Sequence, residues 1–144
     1  MSPQLKAHFA DYAAFHATPG NQACHYVGIP LIVLTLFTFL TSAPLLNVAG
    51  FGVTLAEVVL AAVVLYYFSL DTALASLMLF LLAVLDALGR QLPLSAAAAL
   101  FMLGWVLQFA GHYVYERKAP AFFRNLAHLL VGPLWIAAKA VGRA

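Results

Sequence analysis

The sequence predicts an all-α integral membrane protein. About four transmembrane helices are expected, with an N-terminal helix and a C-terminal helical tail that is interfacial or re-entrant. The 144-residue chain is 65% hydrophobic and only 8% charged, with a mean hydropathy of +0.96, whereas soluble domains carry about 25% charged residues. Its apolar residues also fall into four runs, each close to the ~20 residues that a helix needs to cross the hydrocarbon core.

The helices are expected in a simple order along the chain. Ser2 and Pro3 suit the start of a first helix, which the sequence Thr-Pro-Gly stops after about Ala17. Short breaks separate the apolar runs, so neighbouring runs are expected to pack antiparallel. The runs cover approximately Val27–Leu46, Phe51–Leu70, Thr72–Leu88 and Leu94–Tyr115.

The tail, residues 120–144, is expected to lie at the membrane interface, because its apolar side chains lie opposite polar ones that include Asn125 and His128. His128 is accordingly expected to contact solvent or lipid head groups. No linker or internal repeat divides the chain, so residues 1–144 are expected to form a single membrane domain. Cys24 is the only cysteine, and the net charge of +2 is too small to suggest a nucleic-acid partner.

Most side chains able to do chemistry fall in two short polar stretches. The first comprises Tyr12, His16, Asn21 and His25, and the second comprises Gln108, His112 and Glu116. Ionisable groups are costly beside hydrocarbon, so such stretches are candidate functional sites. An even number of crossings would bring both stretches to the same membrane face. Basic residues after Glu116 predict that this face is cytoplasmic.

Three histidines and one carboxylate in these stretches would complete a metal site. His112 and Glu116 are four residues apart at a helix end and project to one side, and a Pro-Gly turn can fold His16 towards His25. Such a ligand set suits Fe(II) oxygen chemistry. It suits zinc equally, so the residues alone leave the metal open. The structural alternatives are a His–Glu hydrogen bond without metal and a helix-capping role for Asn21.

A second group of charges is expected at the opposite end of the bundle. Asp86 and Arg90 are four residues apart on one helix, and Glu57 can join them. We interpret these residues as a structural ion-pair network rather than a proton path. Asp71, between two apolar runs, is expected to be a turn residue or the N-cap of the next helix.

The first polar stretch reads Tyr12-Ala-Ala-Phe-His16…Asn21…His25…Gly28-Ile29-Pro30. The second reads Trp105-Val-Leu-Gln108-Phe-Ala-Gly-His112-Tyr-Val-Tyr-Glu116-Arg-Lys-Ala-Pro120-Ala121…Asn125-Leu126. Together they resemble the opening and closing motifs of the Mpo1-like family. The resemblance spans nearly the whole chain, although the middle helices carry little family signal.

This resemblance implies a membrane-bound, Fe(II)-dependent dioxygenase. It would use O2 to convert a long-chain 2-hydroxy fatty acid to the odd-chain acid one carbon shorter, as in fatty-acid α-oxidation. Catalytic and metal-ligating roles are implied for His16, His25, His112 and Glu116. With such a substrate, we expect contacts from Tyr12, Asn21, Gln108, Arg117, Lys118 and Asn125; the alternative for Arg117 and Lys118 is simple anchoring at the membrane interface. The enzyme would lie in a bacterial inner membrane or in the endoplasmic reticulum.

Two other functions compete with this interpretation. A zinc-dependent lipid hydrolase would use the same ligands, with a metal-activated water as nucleophile. A non-enzymatic lipid-binding membrane protein would need only the polar helix ends. A transporter would have polar residues near the bilayer midplane, whereas here the middles of the apolar runs lack them.

Overall fold

The computed structural model describes the backbone of residues 1–144 and every side chain except those of Val48 and Phe51. The chain is predominantly helical, which confirms the all-α prediction. Its helices are α1 (Pro3–Ala14), α2 (Pro19–Thr41), α3 (Leu55–Leu70), α4 (Thr72–Gly89), α5 (Leu94–Ala110) and α6 (Ala127–Ala140). A hairpin of β1 (Pro44–Val48) and β2 (Phe51–Thr54) joins α2 to α3. A π-helical segment (Gly111–Glu116) continues α5, and a short 3-10 helix (Ala121–Phe123) precedes α6.

Side-chain caps explain where the first two helices begin. Ser2 and Thr18 each accept a hydrogen bond from a backbone N–H in the first turn, and a proline follows each cap at the first helical position. The predicted capping role of Asn21 is therefore wrong. Thr18 is the cap, and α2 begins at Pro19, well before the expected start at Val27.

Three segments are long and apolar enough to cross a membrane: Pro19–Thr41, Thr72–Gly89 and Leu94–Glu116. The last of these is α5 together with the π-helical segment. The remaining run, expected from Phe51, is shorter because its first residues pair with β1, which leaves 16 residues for α3. The prediction of four spans is thus met by length for three of the four runs.

Helices α2 to α5 run alternately in opposite directions. Thr38, near the end of α2, donates a hydrogen bond of 2.9 Å to the carbonyl oxygen of Gly89, at the end of α4. Asn21, near the start of α2, instead lies against Gly111, just after α5. We call the end of the bundle with Asn21 and Gly111 the site end, and the end with Gly89 the far end.

Glycines allow α2 and α5 to pack closely. A Cβ atom on Gly28 would lie 2.9 Å from the carbonyl oxygen of Gly104, and a Cβ atom on Gly104 would lie 3.0 Å from that of Gly28. Lipid provides no hydrophobic force between helices, so close van der Waals contact at small residues stabilises such pairs. A Cβ atom on Gly28 would also collide with the amide of Gln108. The glycine pair therefore sets the position of α5 and its polar end relative to α2.

The tail, expected to be interfacial or re-entrant, packs against the rest of the bundle. Helix α6 packs against α1, where Tyr12 contacts Trp135 with ring centroids 5.2 Å apart, and both residues are buried. His128, expected to face solvent or lipid head groups, is only 6% exposed. That prediction is wrong because the polar face of α6 is covered by α1 rather than by water.

Ion pairs and hydrogen bonds of charged residues connect the helix ends. At the far end, Arg90 pairs with Asp86 at 2.9 Å and also with Glu57. At the site end, the buried Asp71 caps α4, as the sequence allowed, and accepts two hydrogen bonds of 3.0 Å from the guanidinium of Arg143. Asp71 therefore connects the α3–α4 turn to the chain after α6.

We expect Asp71→Ala to destabilise the bundle by roughly 1 kcal/mol more than Asp71→Asn, because asparagine preserves the helix cap and alanine does not. Apparent Tm values of the detergent-purified variants would measure the difference. Equal Tm values for the wild type and Asp71→Ala would contradict the capping role.

Acidification provides a second test of the same residue. The ammonium group of Met1, the backbone N–H of Leu74 and the guanidinium of Arg143 lower the pKa of Asp71. A pKa lower in the folded than in the unfolded chain means that the stabilisation is present above the ordinary carboxyl range and is lost as the pH falls below it. Asp71→Asn should therefore lose less stability than the wild type on acidification, measured as Tm against pH.

Candidate metal centre

Three buried imidazole rings meet at the site end. His16 follows α1, His25 lies in α2 and His112 lies in the π-helical segment, and one nitrogen from each lies within 4.8 Å of the other two. The ring centroids are 4.4 Å apart for His16 and His25, 4.8 Å for His16 and His112, and 4.9 Å for His25 and His112. The fold thus brings the two polar stretches of the sequence into one cluster.

Hydrogen bonds determine which ring nitrogens carry protons. Nδ1 of His16 is 2.7 Å from the carbonyl oxygen of Tyr12, and Nδ1 of His25 is 2.9 Å from that of Asn21. A carbonyl oxygen only accepts, so each Nδ1 is the donor and each Nε2 of the neutral ring presents a lone pair. The Nε2 atoms of His16 and His25 lie 3.1 Å apart. Their lone pairs therefore face each other with no proton between them.

This arrangement fits a divalent metal ion better than a hydrogen bond. Two imidazole nitrogens bound to one ion at about 2.1 Å, with an angle between 90° and 110°, lie about 3.0–3.4 Å apart. Nδ1 of His112 is buried and has no hydrogen-bond partner among the described residues. Hydrogen bonds from the second ring nitrogen to carbonyl groups are also usual for metal-binding histidines. The three imidazoles together match the donors preferred by zinc and non-haem iron.

The electrostatics of His16 suit the same role. Burial, followed by the neighbouring imidazole of His25, lowers the pKa of His16 to about 3. The ring is therefore neutral at physiological pH, and neutral imidazole is the form that binds metals.

Glu116 lies beside the histidines but is bound to the preceding loop. Its carboxylate accepts hydrogen bonds from the backbone N–H groups of Ala17 (3.2 Å) and Thr18 (3.0 Å). It also accepts from the hydroxyl of Thr18 (2.9 Å) and the amide of Asn21 (3.2 Å). These contacts hold the loop that carries His16 against the end of the π-helical segment. Direct ligation of a metal by Glu116 stays a prediction.

The π-helical segment presents His112 and Glu116 to different partners. His112 faces the other two imidazoles, whereas Glu116 faces the loop between α1 and α2. π-helices are rare, occur mostly as single turns within α-helices, and are frequent at functional sites. The segment ends at Arg117, whose φ of 55° lies in the left-handed region.

An apolar cavity of about 320 Å³ extends from the histidine cluster. Its polar end is lined by His16, His25 and His112, and its walls come from α2, α5 and α6. Those walls include Ile29, Val33, Leu36, Phe101, Trp105 and Leu129. Along α2 the lining extends from His25 to Leu36, which is about 16 Å at 1.5 Å per residue.

A second apolar cavity adjoins the first. It has a volume of about 190 Å³ and shares Val33, Leu36, Leu129 and Pro133 with it. Its lining reaches Leu40, close to the end of α2. The residues that line the two cavities form an apolar surface that extends from the histidine cluster towards the far end.

The other predicted site residues separate into three groups. Tyr12 and Gln108 line the first cavity, and Tyr12 stacks on His16 with a centroid distance of 3.8 Å. Asn21 is fully buried behind the cluster, where it binds Glu116. The remaining predicted substrate contacts are exposed and lie outside the cavity: Arg117, Lys118 and Asn125.

Sequence reasoning missed His128 as a cavity residue. It lines the first cavity, and its Nε2 atom is 2.7 Å from the carboxylate of Asp11. The available signal was the apolar composition of α6, which makes burial of the helix, and of a histidine on it, an alternative to exposure.

We expect Glu116→Gln to weaken metal binding about 10–100-fold, because an amide cannot replace a carboxylate whose oxygens accept hydrogen bonds from Ala17, Thr18 and Asn21. Titration of the purified apoprotein with Co²⁺, followed by its visible absorption, would measure the affinity. Glu57→Gln is the matched control, since it changes the same side chain at the far end. Unchanged affinity in Glu116→Gln would refute the role of these contacts in metal binding.

Comparison with known proteins agrees with this geometry. A family model described as "2-hydroxy-palmitic acid dioxygenase Mpo1-like" matches residues 2–144. The 2-hydroxy-palmitic acid dioxygenase MPO1 of Saccharomyces cerevisiae is 28% identical over 129 residues, which cover 88% of this chain and 73% of the yeast protein. No solved structure matches the chain. The histidine cluster, the apolar cavity and the match along almost the full length lead to one conclusion: the chain belongs to the Mpo1-like family.

Proposed function

We propose that this protein is a membrane-embedded, Fe(II)-dependent dioxygenase that shortens long-chain 2-hydroxy fatty acids by one carbon. The observation that supports it best is the cluster of three neutral histidines at the polar end of an apolar cavity. The yeast relative, a 2-hydroxy-palmitic acid dioxygenase, suggests the substrate class and the use of oxygen. The site thus combines a metal-binding head with room for a hydrocarbon chain, which an acyl substrate requires.

The choice of iron follows from the reaction. Fe(II), when bound, supplies the redox chemistry that allows O2 to react with an organic substrate, whereas zinc has no accessible second oxidation state. Conversion of a 2-hydroxy acid and O2 to the shortened acid, CO2 and water balances in atoms and electrons. The proposed reaction therefore needs no separate reductant.

The chain's own residues have three tasks in this proposal. His16, His25 and His112 hold the ion, and Glu116 either joins them or keeps the His16 loop in place. Tyr12 and Gln108 contact the polar head of the substrate from the cavity wall. The apolar cavity takes the acyl chain, and its length of about 16 Å is close to the depth of one leaflet of a ~30 Å hydrocarbon core.

The orientation in the membrane is part of the proposal. Arg90 is at the far end, while the other six basic residues lie in α1 or after the π-helical segment, at the site end. Positive charge is enriched on the cytoplasmic side of membrane proteins. We therefore propose that the histidine cluster faces the cytoplasm.

We expect His112→Ala to lose bound metal and to reduce turnover more than about 100-fold, because it removes a ligand while the bundle still forms. The assay uses detergent-purified protein loaded anaerobically with Fe(II), 2-hydroxypalmitate and then O2, with products identified by mass. Asp86→Asn is the control, since the far-end network has no part in the chemistry. Its turnover should equal that of the wild type.

Several outcomes would overturn this proposal. Full metal content in His112→Ala would show that His112 is not a metal ligand. Loss of turnover in folded Asp86→Asn would place chemistry at the far end. Absence of an O2-dependent acid one carbon shorter from the wild type, with zinc retained on purification, would favour the lipid hydrolase.

The path of the acyl chain can be tested separately. Val33 lines both cavities and is half-buried, so a phenylalanine there should block the passage between them. We expect Val33→Phe to reduce kcat/KM for 2-hydroxypalmitate roughly tenfold, while a ten-carbon 2-hydroxy acid is much less affected. Leu65→Phe, at a position 70% exposed on α3, is the control. An equal loss for both chain lengths would contradict this path.

A further inference from the structure

Asp11 and His128 form a pair at the cavity wall that the metal-binding cluster does not use. Nε2 of His128 is 2.7 Å from Oδ2 of Asp11, and the imidazole side chain is only 5% exposed. The pair joins α1 to α6 across 117 positions of sequence. Carboxylates often orient buried histidine rings in proteins, because the hydrogen bond fixes the tautomer of the ring.

The second nitrogen of this ring has no partner. Nδ1 of His128 is buried and makes no hydrogen bond to any residue that the structure describes. In the tautomer whose Nε2–H donates to the Asp11 carboxylate, Nδ1 is an acceptor. An unpaired buried acceptor costs free energy unless a ligand satisfies it. His128 lines the cavity proposed for the substrate, so a hydroxyl group inside the cavity can provide the missing donor.

The position of His128 relative to the cluster fits a substrate with two neighbouring polar groups. The ring of Tyr12 stacks on His16 at 3.8 Å and contacts His128 at 5.5 Å between centroids. His128 therefore lies beside the cluster rather than within it. A substrate whose carboxylate is held at the cluster would direct the hydroxyl group of the adjacent carbon towards a neighbouring residue of the same cavity, and His128 is one such residue.

We propose that Nδ1 of His128 accepts a hydrogen bond from the 2-hydroxyl group of the substrate, and that Asp11 is the positioning residue that orients the ring for it. This inference rests on the proposed function and names the residue that recognises the hydroxyl group. An unsubstituted fatty acid would leave Nδ1 unpaired, so the pair selects 2-hydroxy acids over ordinary fatty acids. Sites that hydrogen-bond a substrate hydroxyl reject analogues that lack it for this reason.

The test compares binding of 2-hydroxypalmitate and palmitate to the full-length, Fe(II)-loaded protein without oxygen, by displacement of a fluorescent fatty acid. We expect His128→Phe to weaken binding of 2-hydroxypalmitate roughly tenfold and to leave palmitate nearly unchanged. Metal content should stay at the wild-type value. His8→Phe is the matched control, because His8 lies on α1 outside the cavity lining and its loss should not change the ratio of the two affinities.

Asp11→Asn provides a second variant that keeps the ring of His128 in place. Asp11→Asn should also reduce the preference for 2-hydroxypalmitate over palmitate, but by less than His128→Phe does. The side-chain oxygen of asparagine can still accept a hydrogen bond from Nε2–H of His128. If His128→Phe does not fold, Asp11→Asn alone decides, and an unchanged preference overturns the proposal.

Two other results would also overturn it: an unchanged affinity ratio in folded His128→Phe, which includes equal weakening of both ligands, or loss of metal from that variant. Turnover of 2-hydroxypalmitate by the wild type is measured in parallel. If the wild type turns over 2-hydroxypalmitate but His128→Phe leaves the ratio of the two affinities unchanged, only the role of His128 is refuted. Absence of turnover refutes the proposed function itself.

Discussion

The carboxylate of Glu116 is the constraint on which the rest of the site depends. A carboxylate almost removed from water must have its oxygens satisfied by hydrogen bonds, and here the donors are Ala17, Thr18 and Asn21, nearly a hundred residues earlier. The antiparallel order of α2 to α5 makes this meeting possible. The glycine contact between α2 and α5 then brings the two segments close enough for it to form.

The contacts of Glu116 bring together a cluster of imidazole nitrogens with lone pairs. His16 and His25 direct their Nδ1–H groups to carbonyl oxygens of their own preceding turns, so neither can donate to the other. Three neutral rings in such close contact have little to gain from one another and much to gain from a cation. Because their positions come from a helix, a loop and a π-helical turn that are each hydrogen-bonded, the donors are arranged before any ion arrives.

Composition and motif spacing were sufficient to predict an all-α membrane protein and to select the polar stretches that meet. The starts of helices were less accessible: Thr18 and Asn21 are both acceptable caps, and the structure uses Thr18, with Pro19 at the first helical position, while Asn21 contacts Glu116. His128 was misplaced for a related reason. A polar residue on an apolar helix faces water unless another helix covers it, and the packing of α1 on α6 depends on contacts distant in sequence. The π-helical turn likewise has no local sequence signature.

The depth of the apolar cavity also bears on how a catalytic cycle would end. Under the proposed reaction the product keeps the alkyl chain of the substrate, and only its head changes: the former C2 becomes the carboxyl carbon and the 2-hydroxyl group is lost. The apolar cavity would therefore hold the chains of substrate and product equally well. Release of the product would depend on the contacts at the polar end of the cavity, and the released acid would return to the bilayer from which the substrate came.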